Sequence, residues 1–130
     1  MKTYTAALVT LLLITSWAKA GNVESYLQLI KAANDSEGKK GTNYPRLVVD
    51  IAHQTMSDTM MFMNAMAERK GASIFCLPKN YILSGATVGD VIMSEIKAAQ
   101  KEGNKEVLSN SVELYAVVGM AKSFPCNNKP

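Results

Sequence analysis

The chain has 130 residues, 48% of them hydrophobic and 19% charged, with a formal net charge of +3. That is one domain's worth of sequence, too apolar to remain disordered. Its charge is too near neutral to form the basic face that nucleic acid or an anionic membrane demands, so neither is an expected partner.

The first twenty residues stand apart. Met1-Lys2 is a short basic start, Ala6 to Ile14 is apolar apart from Thr10, and Ala18-Lys19-Ala20 puts small residues at the two positions a signal peptidase reads. The expectation is a secretory signal peptide over residues 1–20, cut after Ala20, and a mature domain over 21–130. The apolar run is shorter than the roughly 20 residues that span a bilayer. No Cys follows the cleavage point, which excludes a lipoprotein anchor there. Losing Lys2 and Lys19 leaves twelve basic residues against eleven acidic ones, a net charge of +1. No later segment is apolar over a transmembrane length, so the expected product is exported, soluble and free of the membrane once cut. Two cysteines, Cys76 and Cys126, remain. An even count behind an export signal reads as one disulfide, with a pair of free thiols as the competing reading.

The mature part reads as helical, with no period-two stretch. Asn22 is a good N-cap for a first helix with Val23, Tyr26, Leu27 and Ile30 on one face. Asn34 to Thr42 has no apolar residue and reads as the main loop. A second helix starts at Asn43 or Tyr44, with Pro45 in its first turn, and runs to about Lys70, where Gly71 stops it. Its expected core stripe is Leu47, Ile51, Met56, Thr59, Met63 and Met66. Pro78 to Ala86 reads as a loop. Thr87 is the expected cap of a third helix, with Asp90 in a partial capping box and Val91, Ile92, Ile96 and Ala99 turned inward. Gly103-Asn104 ends that helix. A last helix is expected from Lys105 to about Lys122, with Leu108, Val112, Tyr115, Val118 and Gly119 on its core stripe. The expected fold is therefore all-α, a small domain of about four main helices with one disulfide.

Chemistry is sparse along this chain. The single histidine, His53, has Asp50 and Ser57 about one turn to either side, so triad residue types lie along one helix. A straight helix does not converge three side chains on one substrate atom, and a partly buried or surface histidine is the better reading. The carboxylates are scattered and form no close helical pair for acid–base work. Gly38 and Gly41 sit in a charged loop and form no phosphate cradle. No enzyme activity, cofactor or metal is therefore expected. Met56, Met60, Met61, Met63 and Met66 crowd the second helix, and with His53 they make soft ligands for Cu(I), which keeps a copper-binding protein as the alternative function. Methionine at helical spacing also fills ordinary cores. The loop segment Tyr81-Ile82-Leu83 lies between Pro78 and Gly85. It either folds back onto the core or projects as an anchor for a protein partner.

The segment from Ser73 to Cys126 carries Phe75-Cys76-Leu77-Pro78, then Thr87 opening a helix with Val91 and Ile96 inward. It closes on Ala121-Lys122-Ser123-Phe124-Pro125-Cys126. In these features it resembles the immunity proteins that protect bacteria from amidase effectors of type VI secretion, most of all the fourth amidase immunity family. The resemblance implies a periplasmic, α-helical homodimer with a Cys76–Cys126 disulfide. It implies a stoichiometric inhibitor of a papain-like cysteine amidase that cleaves the peptide stem of peptidoglycan. An inhibitor of this kind fills the enzyme's cleft. The loop residues Asn80, Tyr81, Ile82, Leu83 and Ser84 are the expected partner-binding set. The last helix, apolar almost all round from Tyr115 to Ala121, is the expected source of the dimer contact.

Overall fold

The computed structural model describes residues 21–37 and 43–126. The expected signal peptide and most of the Asn34–Thr42 loop lie outside the described residues. Within them the chain forms four helices: α1 (Val23–Asp35), α2 (Tyr44–Glu68), α3 (Gly85–Lys101) and α4 (Val112–Ser123), with no strand, as the all-α expectation requires. α2 packs on α1 and α3, and α3 packs on α4.

Local chemistry sets the first two helix starts where the sequence places them. The Asn22 carboxamide accepts the Ser25 N–H at 2.9 Å, and that of Asn43 accepts the Arg46 N–H at 3.0 Å, each relieving an orphan donor of a first turn. Asn43 also accepts the Ser36 hydroxyl at 2.6 Å, which ties the end of α1 to the start of α2. Gly71, at φ +77°, turns the chain out of α2 in a conformation that favours glycine.

The other two helix starts differ from expectation. α3 is capped by Ser84, whose Oγ accepts the Thr87 N–H at 3.2 Å, so Thr87 lies inside the first turn and not at the cap. The earlier start is sterically enabled by Gly85: a Cβ there would lie 2.8 Å from the Gln54 backbone nitrogen on α2. α4 begins at Val112 under a Ser111 cap and not at Lys105. Residues 105–110 form turns instead. There Asn104 accepts the Glu106 N–H at 2.9 Å and the Ser109 hydroxyl donates to the Glu106 carbonyl at 2.9 Å, the local bonding by which Asn and Ser compete with a helix. Val107 is buried as a result, while Leu108, assigned to the core stripe, is exposed.

The core centres on Ile92 and Ile96 of α3, with Val23, Phe75, Val88, Val112 and Met120 around them. Cys76 and Cys126 are bonded, with Cα atoms 4.8 Å apart and no free cysteine present. The Cys76 N–H also donates to the Phe124 carbonyl at 2.8 Å. The start of α1 is strapped to the turn before α4: Val23 N–H donates to the Asn110 carbonyl and Val112 N–H to the Gly21 carbonyl, at 3.0 and 2.9 Å.

The expected core stripe of α2 is overturned. Leu47, Ile51, Thr59, Met63 and Met66 are exposed and Met56 is only half-buried. The face that enters the core carries Val49, His53, Ser57 and Met60. α2 has apolar residues on two sides, and its buried side is the one that also contains polar residues. Those polar residues find partners across the core: His53 Nε2 pairs with the Tyr26 hydroxyl, and the Ser57 hydroxyl donates to the Leu83 carbonyl at 3.2 Å.

Candidate functional site

Three features stand out once the helices are assembled. The first is the loop between Pro78 and Ser84. Tyr81 N–H closes a turn onto the Pro78 carbonyl at 3.0 Å, and Asn80 sits at φ +65°, which Asn tolerates better than most side chains. The Tyr81 ring leans on Phe124 with centroids 5.3 Å apart, and its hydroxyl lies 3.3 Å from the Thr87 hydroxyl. Ile82 is 87% exposed at the tip, and Asn80 is exposed beside it. Leu83, expected to contact a partner, is instead 6% exposed and part of the core. The Ser84 hydroxyl serves as the α3 cap. The expected partner set thus divides into an outward group, Asn80, Tyr81 and Ile82, and an inward anchor at Leu83.

The loop's approach is held as firmly as its end. The Asn64 carboxamide of α2 accepts the N–H groups of both Ile74 and Phe75, at 2.8 and 3.0 Å. The disulfide then fixes Cys76.

The second feature is the outer face of α2. Tyr44, Leu47, Ile51, Phe62 and Met66 recur at helical spacing on the side away from the core, with Phe62 67% and Ile51 57% exposed. Exposed Gln54 and Asp58, hydrogen-bonded at 3.0 Å, lie between Ile51 and Phe62 on that side, so this apolar surface falls in two parts. Around the side of the same helix, Met56, Met60 and Met63 line an apolar cleft of about 240 Å³ closed by Ala116 and Val117 of α4. Met61 and Met66 are exposed and do not line that cleft. His53 does not line it either. The last helix buries Val112, Tyr115, Ala116, Gly119 and Met120 inside the same chain, so its apolar character is largely accounted for without a second copy.

The third feature was not legible as a site. Tyr26 Oη and His53 Nε2 meet at 2.8 Å on the floor of a cleft of about 440 Å³ between α1, α2 and the first turns of α3. Asp50 and Arg46 of α2, paired at 3.2 Å, and Asp90 of α3 stand at its rim. Burial pushes the Tyr26 hydroxyl up to about 12, with the Asp90 charge adding to the rise. Burial pulls His53 below its ordinary value, opposed by Asp50 and Asp90 and assisted by Arg46. No relay runs along Asp50, His53 and Ser57, because the Ser57 hydroxyl is given to Leu83 and the His53 Nε2 to Tyr26. The signal that marks this place in the sequence is the pair Gly85 and Gly89, four apart on α3, which let that helix lie against Gln54 and His53.

Among the described residues no group of three or more His, Cys, Asp or Glu side chains is placed to hold a metal ion, and no helix there is long and apolar enough to cross a membrane. No family model, curated protein or solved structure matches the chain.

Proposed function

We propose that this protein is a periplasmic immunity protein that binds a peptidoglycan-cleaving, papain-like cysteine amidase effector of type VI secretion and inhibits it by occluding its active-site cleft. The observation that carries the reading is the loop tip, where Ile82 stands 87% exposed between two fixed ends. An apolar anchor on a pre-ordered loop binds with little ordering cost, and a narrow cleft shaped for an extended peptide admits a loop more readily than a helix face. The resemblance of the Ser73–Cys126 segment supports the same class. Tyr81 and Asn80 flank the anchor, with Leu83 supporting it from the core.

The homodimer that belongs to this reading is better served by α2 than by the last helix. Tyr44 and Met66 lie equally far from Thr55 on either side. Two copies of α2 crossing antiparallel at Thr55 would therefore set Tyr44 of one against Met66 of the other in an isologous contact.

The test is inhibition. The purified protein is titrated against papain-like peptidoglycan amidases, including any small Cys-His hydrolase found encoded beside its gene, with release of peptide-stem fragments as the readout. Ile82→Asp should weaken inhibition by about thirtyfold or more while circular dichroism stays helical. Inhibition that survives Ile82→Asp unchanged would place the inhibitory surface elsewhere, and no binding to any such hydrolase would remove the reading. The copper alternative draws on the three thioethers that line the α2–α4 cleft. It requires a one-to-one Cu(I) complex, measured by competition with bicinchoninate, that Met60→Leu abolishes.

A further inference from the structure

We infer that the cleft over the Tyr26–His53 pair is a binding site for an α-ammonium group next to a carbonyl or carboxylate, the chemistry of an amino acid or a peptide N-terminus. This site is independent of the inhibitor reading and makes no use of the loop tip or the outer face of α2.

The argument begins at the floor. Tyr26 is 5% exposed and His53 9% exposed, and among the described residues the only hydrogen bond of either side chain is the one between them. The Tyr26 hydroxyl stays protonated, and we assign it as the donor to His53 Nε2, the acceptor within reach. His53 is therefore the neutral tautomer with its proton on Nδ1. That Nδ1–H has no partner among the described residues. Every fully enclosed side-chain nitrogen and oxygen among the described residues is bonded, so Nδ1 is open to solvent, and the cleft that His53 lines is this one. Gly89 lets α3 pack close to that edge of the ring: a Cβ there would sit 2.6 Å from Nδ1. A solvent-accessible donor on a largely buried ring is thus left to an acceptor that the protein itself does not supply.

The rim adds the opposite requirement. Asp50 and Asp90 face the cleft from two helices, and only Asp50 is matched, by Arg46. Asp90 has no ion-pair or hydrogen-bond partner among the described residues. Its charge reaches the floor, since it bears on both Tyr26 and His53. The ligand must therefore offer an acceptor to His53 Nδ1–H and a cation to Asp90. Ile30, Val49 and Met93 supply an apolar wall for its body. The cleft volume of about 440 Å³ is in the small-molecule range. A bare amine lacks the acceptor, and a bare acid lacks the cation. An α-ammonium beside a carbonyl has both, joined through a single α-carbon.

The protein has one histidine, so its imidazole resonances in a long-range ¹H–¹⁵N spectrum report this cleft alone. The free protein should show the Nδ1–H tautomer. Alanylalanine and free alanine are then titrated, with N-acetylalanine and propylamine as half-ligands. We expect saturable shifts of both ring nitrogens with alanylalanine, alanine or both, and at least roughly tenfold weaker response to each half-ligand. Tighter binding of alanylalanine assigns the site to a peptide terminus, and tighter binding of alanine to a free amino acid. Asp90→Asn, a change at an exposed side chain, should weaken binding about tenfold without altering the tautomer. An Nε2–H tautomer, no shift at about 50 mM of either full ligand, or an equal response to N-acetylalanine would each overturn the assignment.

Discussion

Gly89 lies so close to His53 that a methyl group at that position would come within 2.5 Å of the ring carbon Cε1. Gly89→Ala should therefore push the ring off the Tyr26 hydroxyl and cost about 1–3 kcal/mol in urea unfolding, the usual size of an overpacking penalty. His53 itself makes stability depend on pH. Its folded value lies below its ordinary 6.5, chiefly through burial, with Asp50 and Asp90 opposing and Arg46 assisting. The unfolded chain takes up the proton first, so His53's contribution is complete above 6.5 and shrinks as the pH falls toward the folded value. Unfolding at pH 7 and pH 5 should show this loss, and His53→Gln should reduce the difference between the two pH values even though it lowers stability at both. Asn64 offers a third check. Its one carboxamide oxygen satisfies two backbone N–H groups, so Asn64→Leu should cost about 2–4 kcal/mol, one unmet donor after another. None of these three roles is visible in the residue's own type. Asn22 and Asn43 are legible as caps because capping is local, whereas His53 and Asn64 act on segments far along the chain.

At the scale of the helix, α2 shows how hydrophobic pattern misleads. Leu47, Ile51, Met63 and Met66 form a more apolar stripe than the face carrying His53 and Ser57, and ranking by hydrophobicity puts the wrong side inward. The buried side is decided by partners: Tyr26 for His53, the Leu83 carbonyl for Ser57, and the glycines of α3 that allow close approach. A sequence shows a helix's own faces and not what waits opposite them. The outward stripe predicts an association. Light scattering at tens of micromolar should give a dimer mass, and Phe62→Asp should give the monomer. That substitution should leave stability within about 0.5 kcal/mol under conditions where the parent is also monomeric, since Phe62 touches little of its own chain. α3 was legible in its interior residues, Ile92 and Ile96, and misplaced at its start, because Ser84 and Thr87 are both good caps and only the close contact of Gly85 with α2 separates them.

In the molecule as a whole, the disulfide and the Ser84 cap hold the segment between α2 and α3 as a frame that presents Ile82 outward and Leu83 inward. Removing the bridge by Cys76→Ser with Cys126→Ser should cost about 2–5 kcal/mol, seen as a lower urea midpoint. The all-α class and the bridge were readable from the sequence, because helix periodicity and an even cysteine count are properties of the chain alone. The cleft over His53 was not, since it exists only where α1, α2 and α3 meet. Ser84 and Gly85 belong to both places, ending the loop and bordering the cleft.

The strap that joins Gly21 and Val23 to residues 110–112 also fixes the order in which the molecule is completed. It closes a loop of nearly ninety residues, a non-local contact whose entropic cost is met only after the helices between are in place. The first helix to be made is thus among the last to be secured. A chain emerging N-terminus first has no partner for the amides of Val23 and Glu24 until Asn110 and Leu108 follow. Pulse-labelled hydrogen exchange during refolding should find those two amides protected no sooner than the first turn of α4, and a chain ended before Leu108 should leave them unprotected.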